Sequence, residues 1–348
     1  MPSKTSAALA GVMLYGATAA SAFDFCGVVM NDTEKIFSFA QVNNATGIVD
    51  DIVKLPTLDG FGLGVSAGAT RDGLYFTVSG TVKEQEEVFV VDVTNHSTSY
   101  VQVDLPTEFD FLTLYGIAML DVNSAGELLA MVMGYSADSE RYCFLGEVDP
   151  SSGSVTKVAY NLTDAYREWV YLYSGVSAWD SDQGLYYLEA VEGARDLTSL
   201  YVFNISDTDN EGIPLAQLPS PRDGMFTALQ LSPEHGLIAL VDDDENTAAA
   251  IWQLVVPQNN WTAAQWKSLH QYSADTLVSD GNNNFLLSDD GHVAYSVFYD
   301  DHQPIANQVV SAVDLRSKVE TGRTVVQGSE NGTASIADLV TCPPSMRN

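Results

Sequence analysis

The side chains able to do acid–base, nucleophilic or redox chemistry are few in this sequence. Five histidines and three cysteines occur among 348 residues. None of them lies in a spacing typical of a zinc site or a catalytic triad, and no glycine-rich phosphate loop is present. Any site must therefore be assembled from distant parts of the chain by the fold.

A recurring phrase predicts that fold. The stretch SAWDSDQGLYYLEA (177–190) joins a short apolar run, a polar turn with a glycine, and alternating apolar residues, which is typical of a β-hairpin. Related phrases occur four more times. Their turn glycines are spaced by 53, 58, 52 and 55 residues and are Gly73, Gly126, Gly184, Gly236 and Gly291. Two further strands follow each phrase, and four strands in a repeat of this length indicate a β-propeller blade. Two other segments, TDAYREWVYL and TAAQWKSL, favour short helices in connections.

The two ends of the chain each hold half of the phrase. FCGVVMND (25–32) matches its second strand, and TASIADLVTC (333–342) matches its first. We therefore expect an all-β, six-bladed β-propeller of four-stranded blades, closed by one C-terminal plus three N-terminal strands. This closure brings Cys26 and Cys342 close enough for a disulfide. Cys143 is then expected to be a buried free thiol.

Over its whole mature length the chain resembles the six-bladed propellers of the gluconolactonase and NHL-repeat type. The resemblance implies that ligands meet the central channel on the face where the inner strands begin, here called the channel-opening face. The predicted starts of the inner strands are Gly62, Gly64, Tyr115, Tyr173, Ser174, Asp223, Asn282 to Asn284, and Glu330. Gluconolactonase-like enzymes hold one divalent ion there, which implies a Ca²⁺ or Mg²⁺ site at Asp223, Asn283 and Glu330. The alternative is that these three residues are turn residues and strand caps.

The histidines give little support to a lactonase at this face. His235 and His292 are predicted in turns between first and second strands, on the opposite face. His96 and His270 fall in outer strands or turns, and only His302 is predicted on the channel-opening face. The connections between second and third strands, in contrast, are rich in acidic residues and share that face. They predict a negative rim that attracts cations, amines or basic peptides, or simply a well-solvated set of loops.

The chain ends and composition predict an extracellular protein. Residues 1–22 have the charged, apolar and small-residue order of a signal peptide cut after Ala22, which leaves residues 23–348 as a single propeller domain without a transmembrane segment. Seven N-glycosylation sequons follow, at Asn31, Asn44, Asn95, Asn161, Asn204, Asn260 and Asn331. The 46 acidic residues against 15 basic ones argue against binding nucleic acid or anionic membranes.

Two classes of function are compatible with these features. The first is a secreted binding or scaffold protein whose channel-opening face binds an extracellular protein or a small ligand, cationic ones included. The second is a divalent-metal-dependent hydrolase or lactonase with its site at the central channel. The sequence favours the first because no position shows a catalytic pattern.

Overall fold

Antiparallel β-sheets make up nearly all of the structure, a computed structural model. It describes residues 25–31, 36–55, 68–69, 74–79, 87–92, 94–102, 111–123, 127–136, 140–149, 152, 154–171, 176–192, 197–243, 247–273, 276–278, 284–300, 307–327 and 335–342. The predicted signal peptide lies outside these residues.

The strands follow one another in short hairpins, as the repeated phrase predicts. The first eleven are β1 (Phe25–Asn31), β2 (Ile36–Val42), β3 (Val49–Lys54), β4 (Gly68–Ala69), β5 (Leu74–Ser79), β6 (Glu87–Asp92), β7 (Ser97–Gln102), β8 (Phe111–Val122), β9 (Leu128–Ser136), β10 (Arg141–Val148) and β11 (Val155–Asn161). A helix, α1 (Thr163–Glu168), comes next. The following strands are β12 (Trp169–Tyr171), β13 (Ser177–Asp180), β14 (Leu185–Glu192), β15 (Leu197–Asn204), β16 (Ala216–Pro219), β17 (Met225–Ser232), β18 (Gly236–Asp243), β19 (Thr247–Val255) and β20 (Gln265–Gln271). The last six are β21 (Thr276–Val278), β22 (Phe285–Leu287), β23 (Val293–Asp300), β24 (Asn307–Asp314), β25 (Val319–Val325) and β26 (Ser335–Thr341).

Five complete propeller blades are formed by these strands. Blade 1 has the strand order β26-β1-β2-β3, blade 2 is β8 to β11, and blade 4 is β17 to β20. In blades 3 and 5 the inner position is divided between two short strands. Both β12 and β13 pair with β14 in blade 3, and both β21 and β22 pair with β23 in blade 5.

The prediction of six four-stranded blades is wrong, because only five blades are complete among the described residues. Strands β4 to β7 form a further sheet between blades 1 and 2, but its inner strand β4 has two residues and two paired positions. The two described residues of β4, Gly68 and Ala69, are small, where the inner strands of blades 2 and 4 read FLTLYGIAMLDV and MFTALQLS. Glycine and alanine give such a strand little apolar surface to pack. The turn glycines Gly73 and Gly126 lie outside the described residues.

The C-terminal strand β26 pairs with β1 as the inner strand of blade 1. A disulfide between Cys26 and Cys342 joins the two ends of the chain, with Cα atoms 4.9 Å apart and both residues fully buried. This predicted pairing is confirmed. Cys143 is a free cysteine, and it is buried against Met133, Leu145 and Tyr186 between blades 2 and 3.

Apolar clusters fill the spaces between neighbouring blades. The cluster between blades 3 and 4 contains Tyr187, Val202, Phe226 and Ala239, and a comparable one joins blades 4 and 5. These side chains come from alternating positions of the first, second and third strands, so one face of each sheet packs against each neighbouring blade. The strand pattern thus fixes the blade faces.

The outer strand or outer connection of each of three blades also contacts the preceding blade. In blade 4, Trp266 donates from Nε1 to the Pro219 carbonyl of blade 3 at 3.1 Å. In blade 3, the Asn210 carbonyl accepts a 2.8 Å hydrogen bond from the Tyr160 hydroxyl of blade 2. The chain ends repeat this pattern, since the backbone N–H of Gln327 in blade 5 donates to the Gly47 carbonyl of blade 1.

No helix among the described residues is long and apolar enough to cross a membrane.

Candidate functional site

Of the three residues predicted to hold a Ca²⁺ or Mg²⁺ ion, only Asp223 lies within the described part of the chain, so this site remains a prediction. Asp223 ends a short 3₁₀ turn, Pro221–Asp223, directly before the inner strand β17. Asn283 and Glu330 lie outside the described residues, as do Gly62, Gly64, Tyr173, Ser174, Asn282 and His302. Tyr115 lies on β8, and Asn284 is buried just before β22, where its carbonyl accepts a hydrogen bond from Val297.

A different group of titratable side chains meets at the opposite end of blades 4 and 5. Glu234 and His235 lie in the turn between β17 and β18, and His292 lies in the turn between β22 and β23. One ligand atom from each of these three side chains lies within 4.8 Å of the other two. We call these three residues the turn cluster.

Arg316, from the turn between β24 and β25, borders the turn cluster. Its Nη2 donates to Glu234 Oε2 at 2.9 Å and also contacts His292 Nε2. Because a guanidinium group is always protonated and only donates, His292 Nε2 must accept, and the ring proton is then on Nδ1. Arg316 also lowers the pKa of the Glu234 carboxyl through this hydrogen bond, so the carboxylate is charged.

Two ring nitrogens in the turn cluster are buried without a hydrogen-bond partner among the described residues. They are Nε2 of His235 and Nδ1 of His292. The latter lies 2.8 Å from Glu234 Oε2, a distance typical of an ion pair, but the contact lacks the directional geometry of a hydrogen bond. Imidazole nitrogen and carboxylate oxygen side by side are the ligand types of borderline transition metals.

Backbone hydrogen bonds fix both turns. The Ser232 hydroxyl accepts from the His235 N–H at 3.1 Å and donates to the Gly291 carbonyl at 3.2 Å, so it connects the two turns directly. On the other side, the His292 N–H donates to Asp290 Oδ1 at 3.0 Å, and its carbonyl accepts from Leu315. The backbone of each histidine is therefore held in place before any ligand arrives.

The sequence held a signal for this cluster that spacing alone did not expose. Glu234 and His235 immediately precede the turn glycine Gly236 of one repeat, and His292 immediately follows the turn glycine Gly291 of the next. Equivalent turns of consecutive blades lie side by side in a propeller. Comparing repeats turn by turn would have paired these residues.

Two buried carboxyl groups lie elsewhere, between blades. Glu189 on β14 is 1% exposed, and burial raises the pKa of its carboxyl to about 8. A hydrogen bond from the Phe226 backbone acts in the opposite direction and lowers that pKa. Asp121 on β8 accepts a 2.7 Å hydrogen bond from the Ser177 hydroxyl, and burial raises its pKa to about 6.

The remaining described histidines lie outside the turn cluster. His270 on β20 packs against Tyr272 with ring centroids 4.7 Å apart, and its Nδ1 is 3.2 Å from the Lys318 carbonyl. His96 is exposed in the turn between β6 and β7 and has a φ of 51°. Neither residue belongs to a group of three or more metal-ligating side chains among the described residues.

Comparisons with known proteins show the fold and no more. No family of known proteins matches the sequence, and no curated protein matches it either. Among solved structures, TolB from Acinetobacter baumannii is similar with a TM-score of 0.53 and 10% identity, over 91% of this chain and 65% of TolB. This chain thus spans less than two thirds of that protein. A quinonprotein alcohol dehydrogenase-like protein from Bacteroides thetaiotaomicron has a TM-score of 0.48 at 11% identity, covering 92% of this chain and 78% of its own. The likeness to TolB supports a β-propeller.

Proposed function

We propose that this protein is a secreted, N-glycosylated β-propeller that acts as an extracellular binding or scaffold protein through its channel-opening face. The partner we propose is a cationic one, either a basic segment of an extracellular protein or a small amine. The proposal extends to an oxidising compartment, since the buried Cys26–Cys342 disulfide is of the kind that persists in secreted proteins.

The observation that carries the proposal is a set of acidic strand ends. Second strands end, and third strands begin, at the channel-opening face. At that end β14 finishes at Glu192, β18 at Asp243 and β23 at Asp300, while β6 begins at Glu87. Three different blades and the short sheet thus each contribute an acidic position to one face. Acidic residues at positions that share one face give that face a negative charge, which raises the local concentration of a cationic partner.

The finer resemblance to gluconolactonase-type propellers supports a metal-dependent hydrolase less well. Its predicted ligand set depends on Asn283 and Glu330, which lie outside the described residues, and the family has six blades where this chain has five complete ones. We therefore propose a binding function, and we use lactone hydrolysis as a contrary outcome of the test.

The test measures binding of a fluorescent oligolysine peptide to protein purified from the culture medium. We expect binding that weakens steeply as salt rises, because surface charge attraction is screened. Replacing the four strand-end acids (Glu87→Gln, Glu192→Gln, Asp243→Asn, Asp300→Asn) should reduce affinity at least about tenfold, by loss of electrostatic complementarity.

The matched control neutralises four exposed acids away from this face, namely Asp50, Asp182, Asp209 and Glu211. It changes the net charge equally and should leave most of the affinity. Equal loss in both variants would mean that only net charge matters, and would contradict a binding face. Retention of the protein inside the cell, or chelator-sensitive lactone hydrolysis with no peptide binding, would also contradict the proposal.

A further inference from the structure

We propose that the turn cluster is a Zn²⁺ site, with Glu234, His235 and His292 as the three protein ligands. The site lies on the face opposite the channel opening and is independent of the proposed binding function. A zinc ion held by three side chains leaves a fourth position for water.

The ligand types and the spacing fit zinc. Two imidazoles and a carboxylate suit Zn²⁺ better than Ca²⁺, which prefers six or more oxygen ligands. With metal–ligand bonds of about 2.0–2.1 Å, ligand atoms around a tetrahedral ion lie about 3.3 Å apart. Glu234 Oε2 and His292 Nδ1 are already closer than this, at 2.8 Å. The most distant pair lies within 4.8 Å and must therefore close by at most about 1.5 Å, which a small side-chain rotation of exposed Glu234 or half-buried His235 supplies.

The unsatisfied nitrogens are the second observation. His235 Nε2 is buried without a hydrogen-bond partner among the described residues, which costs free energy, and His292 Nδ1 has only the ion-pair contact with Glu234 Oε2, outside hydrogen-bond geometry. A metal ion bound at His235 Nε2 and at His292 Nδ1 would satisfy both. The hydrogen bonds of Ser232 and Asp290 to the backbone of the two turns hold these rings close before binding, which lowers the entropic cost.

Arg316 opposes the metal and gives the proposal its sharpest test. Binding of Zn²⁺ at His292 Nδ1 moves the ring proton to Nε2, which then faces the N–H groups of Arg316. The hydrogen bond from the Arg316 guanidinium to Glu234 Oε2 must also break, so that this oxygen can bind the zinc ion. Since Arg316 is an exposed side chain, it can turn into solvent, but its contacts compete with zinc. Removing them should tighten zinc binding.

The experiment uses the whole mature protein, freed of metal by a chelator and titrated with Zn²⁺ alone. We expect one zinc ion per chain by equilibrium dialysis with metal analysis, and a melting temperature that rises with zinc concentration. His235→Gln and His292→Gln should each weaken zinc binding at least about tenfold, whereas Arg316→Gln should strengthen it. His96→Gln is the matched control, because it removes an exposed histidine from another turn.

Failure to fold cannot imitate this pattern. Glu234→Gln changes an exposed turn residue, so the metal-free variant should melt near the metal-free parent while binding zinc at least about tenfold more weakly. Absence of stoichiometric zinc, equal binding by the parent and both histidine variants, or weaker binding in Arg316→Gln would overturn the proposal. Saturation by Ca²⁺ in place of Zn²⁺ would overturn it as well.

Discussion

The Ser232 hydroxyl donates a 3.2 Å hydrogen bond to the carbonyl of Gly291, across the boundary between blades 4 and 5. Ser232 is 5% exposed, and Gly291 adopts a φ of 70°, a conformation that a side chain disfavours. This contact sets the distance between the two turns that carry the turn cluster. It links a feature of the repeated phrase to the one group of metal-ligating residues found in the described chain.

The close approach at Gly291 predicts an unequal effect of two alanine substitutions. A Cβ at position 291 would lie 2.5 Å from Ser232 Oγ, whereas a Cβ at Gly236, with nearly the same φ of 69°, meets nothing within 4 Å. Gly236→Ala should cost about 1–2 kcal/mol of the free energy of unfolding, from backbone conformation alone. Gly291→Ala should cost clearly more, because the turns must also separate. Urea unfolding of both variants measures the difference, and equal costs would mean that the turns do not approach this closely.

The disulfide predicts a large stability effect that the third cysteine does not share. The bridge closes a loop with a sequence separation of 316 residues, so its loss frees much conformational entropy in the unfolded chain. A variant with Cys26→Ala and Cys342→Ala should lose about 2–5 kcal/mol of the free energy of unfolding. Cys143→Ala, the control, deletes one buried sulfur and should cost about 1 kcal/mol. Peptide mapping without reduction would contradict the assignment if it found Cys143 in a bridge.

Glu189 predicts that stability falls as pH rises. Its folded pKa, about 8, lies above its ordinary value of 4.5, so over this interval the folded protein keeps a proton that the unfolded chain releases. The free energy of unfolding therefore decreases with rising pH through this window, by on the order of a few kcal/mol. Asp121 acts in the same direction up to its raised pKa of about 6.

Glu189→Gln should remove most of the pH dependence of the free energy of unfolding between pH 6 and pH 8, because the glutamine amide does not titrate. Melting temperatures measured across this range provide the test. Glu211→Gln, an exposed change between β15 and β16, should keep the slope of the parent. If the Glu189 variant kept that slope too, the carboxyl would be charged in the folded protein.

Asn260 predicts an occupied glycan site that can be tested without replacing the asparagine. It is exposed between β19 and β20, and its Oδ1 accepts hydrogen bonds from the N–H and hydroxyl of Thr262. Thr262→Ala destroys the sequon and should reduce the mass of the secreted protein by one glycan. Thr262→Ser preserves both the sequon and the hydroxyl, and should keep the glycan. Identical masses for parent and Thr262→Ala would show that the site is empty.

Local signals in the sequence were reliable where neighbouring residues decide the outcome. Alternating apolar residues around Gly184, Gly236 and Gly291 predicted hairpins, and the helix predicted from Thr163 onward is present as α1. TAAQWKSL was wrong as a helix, since Gln265 begins strand β20. There Trp266 bonds to Pro219 and packs on Phe226 of blade 3, so contacts between blades override helix propensity.

Strand periodicity and turn glycines are local features of consecutive residues, so the β-propeller class, its closure by the two chain ends and the pairing of Cys26 with Cys342 could be predicted from the sequence. The structure was needed to show that, among the described residues, the inner strand β4 is too short for a sixth complete blade. It alone also showed that Glu234, His235, His292 and Arg316 meet, 82 residues apart at the extremes of that set. The meeting of these four side chains depends on the distance between turns of neighbouring blades. Side-chain contacts across a blade boundary leave no periodic pattern along the chain.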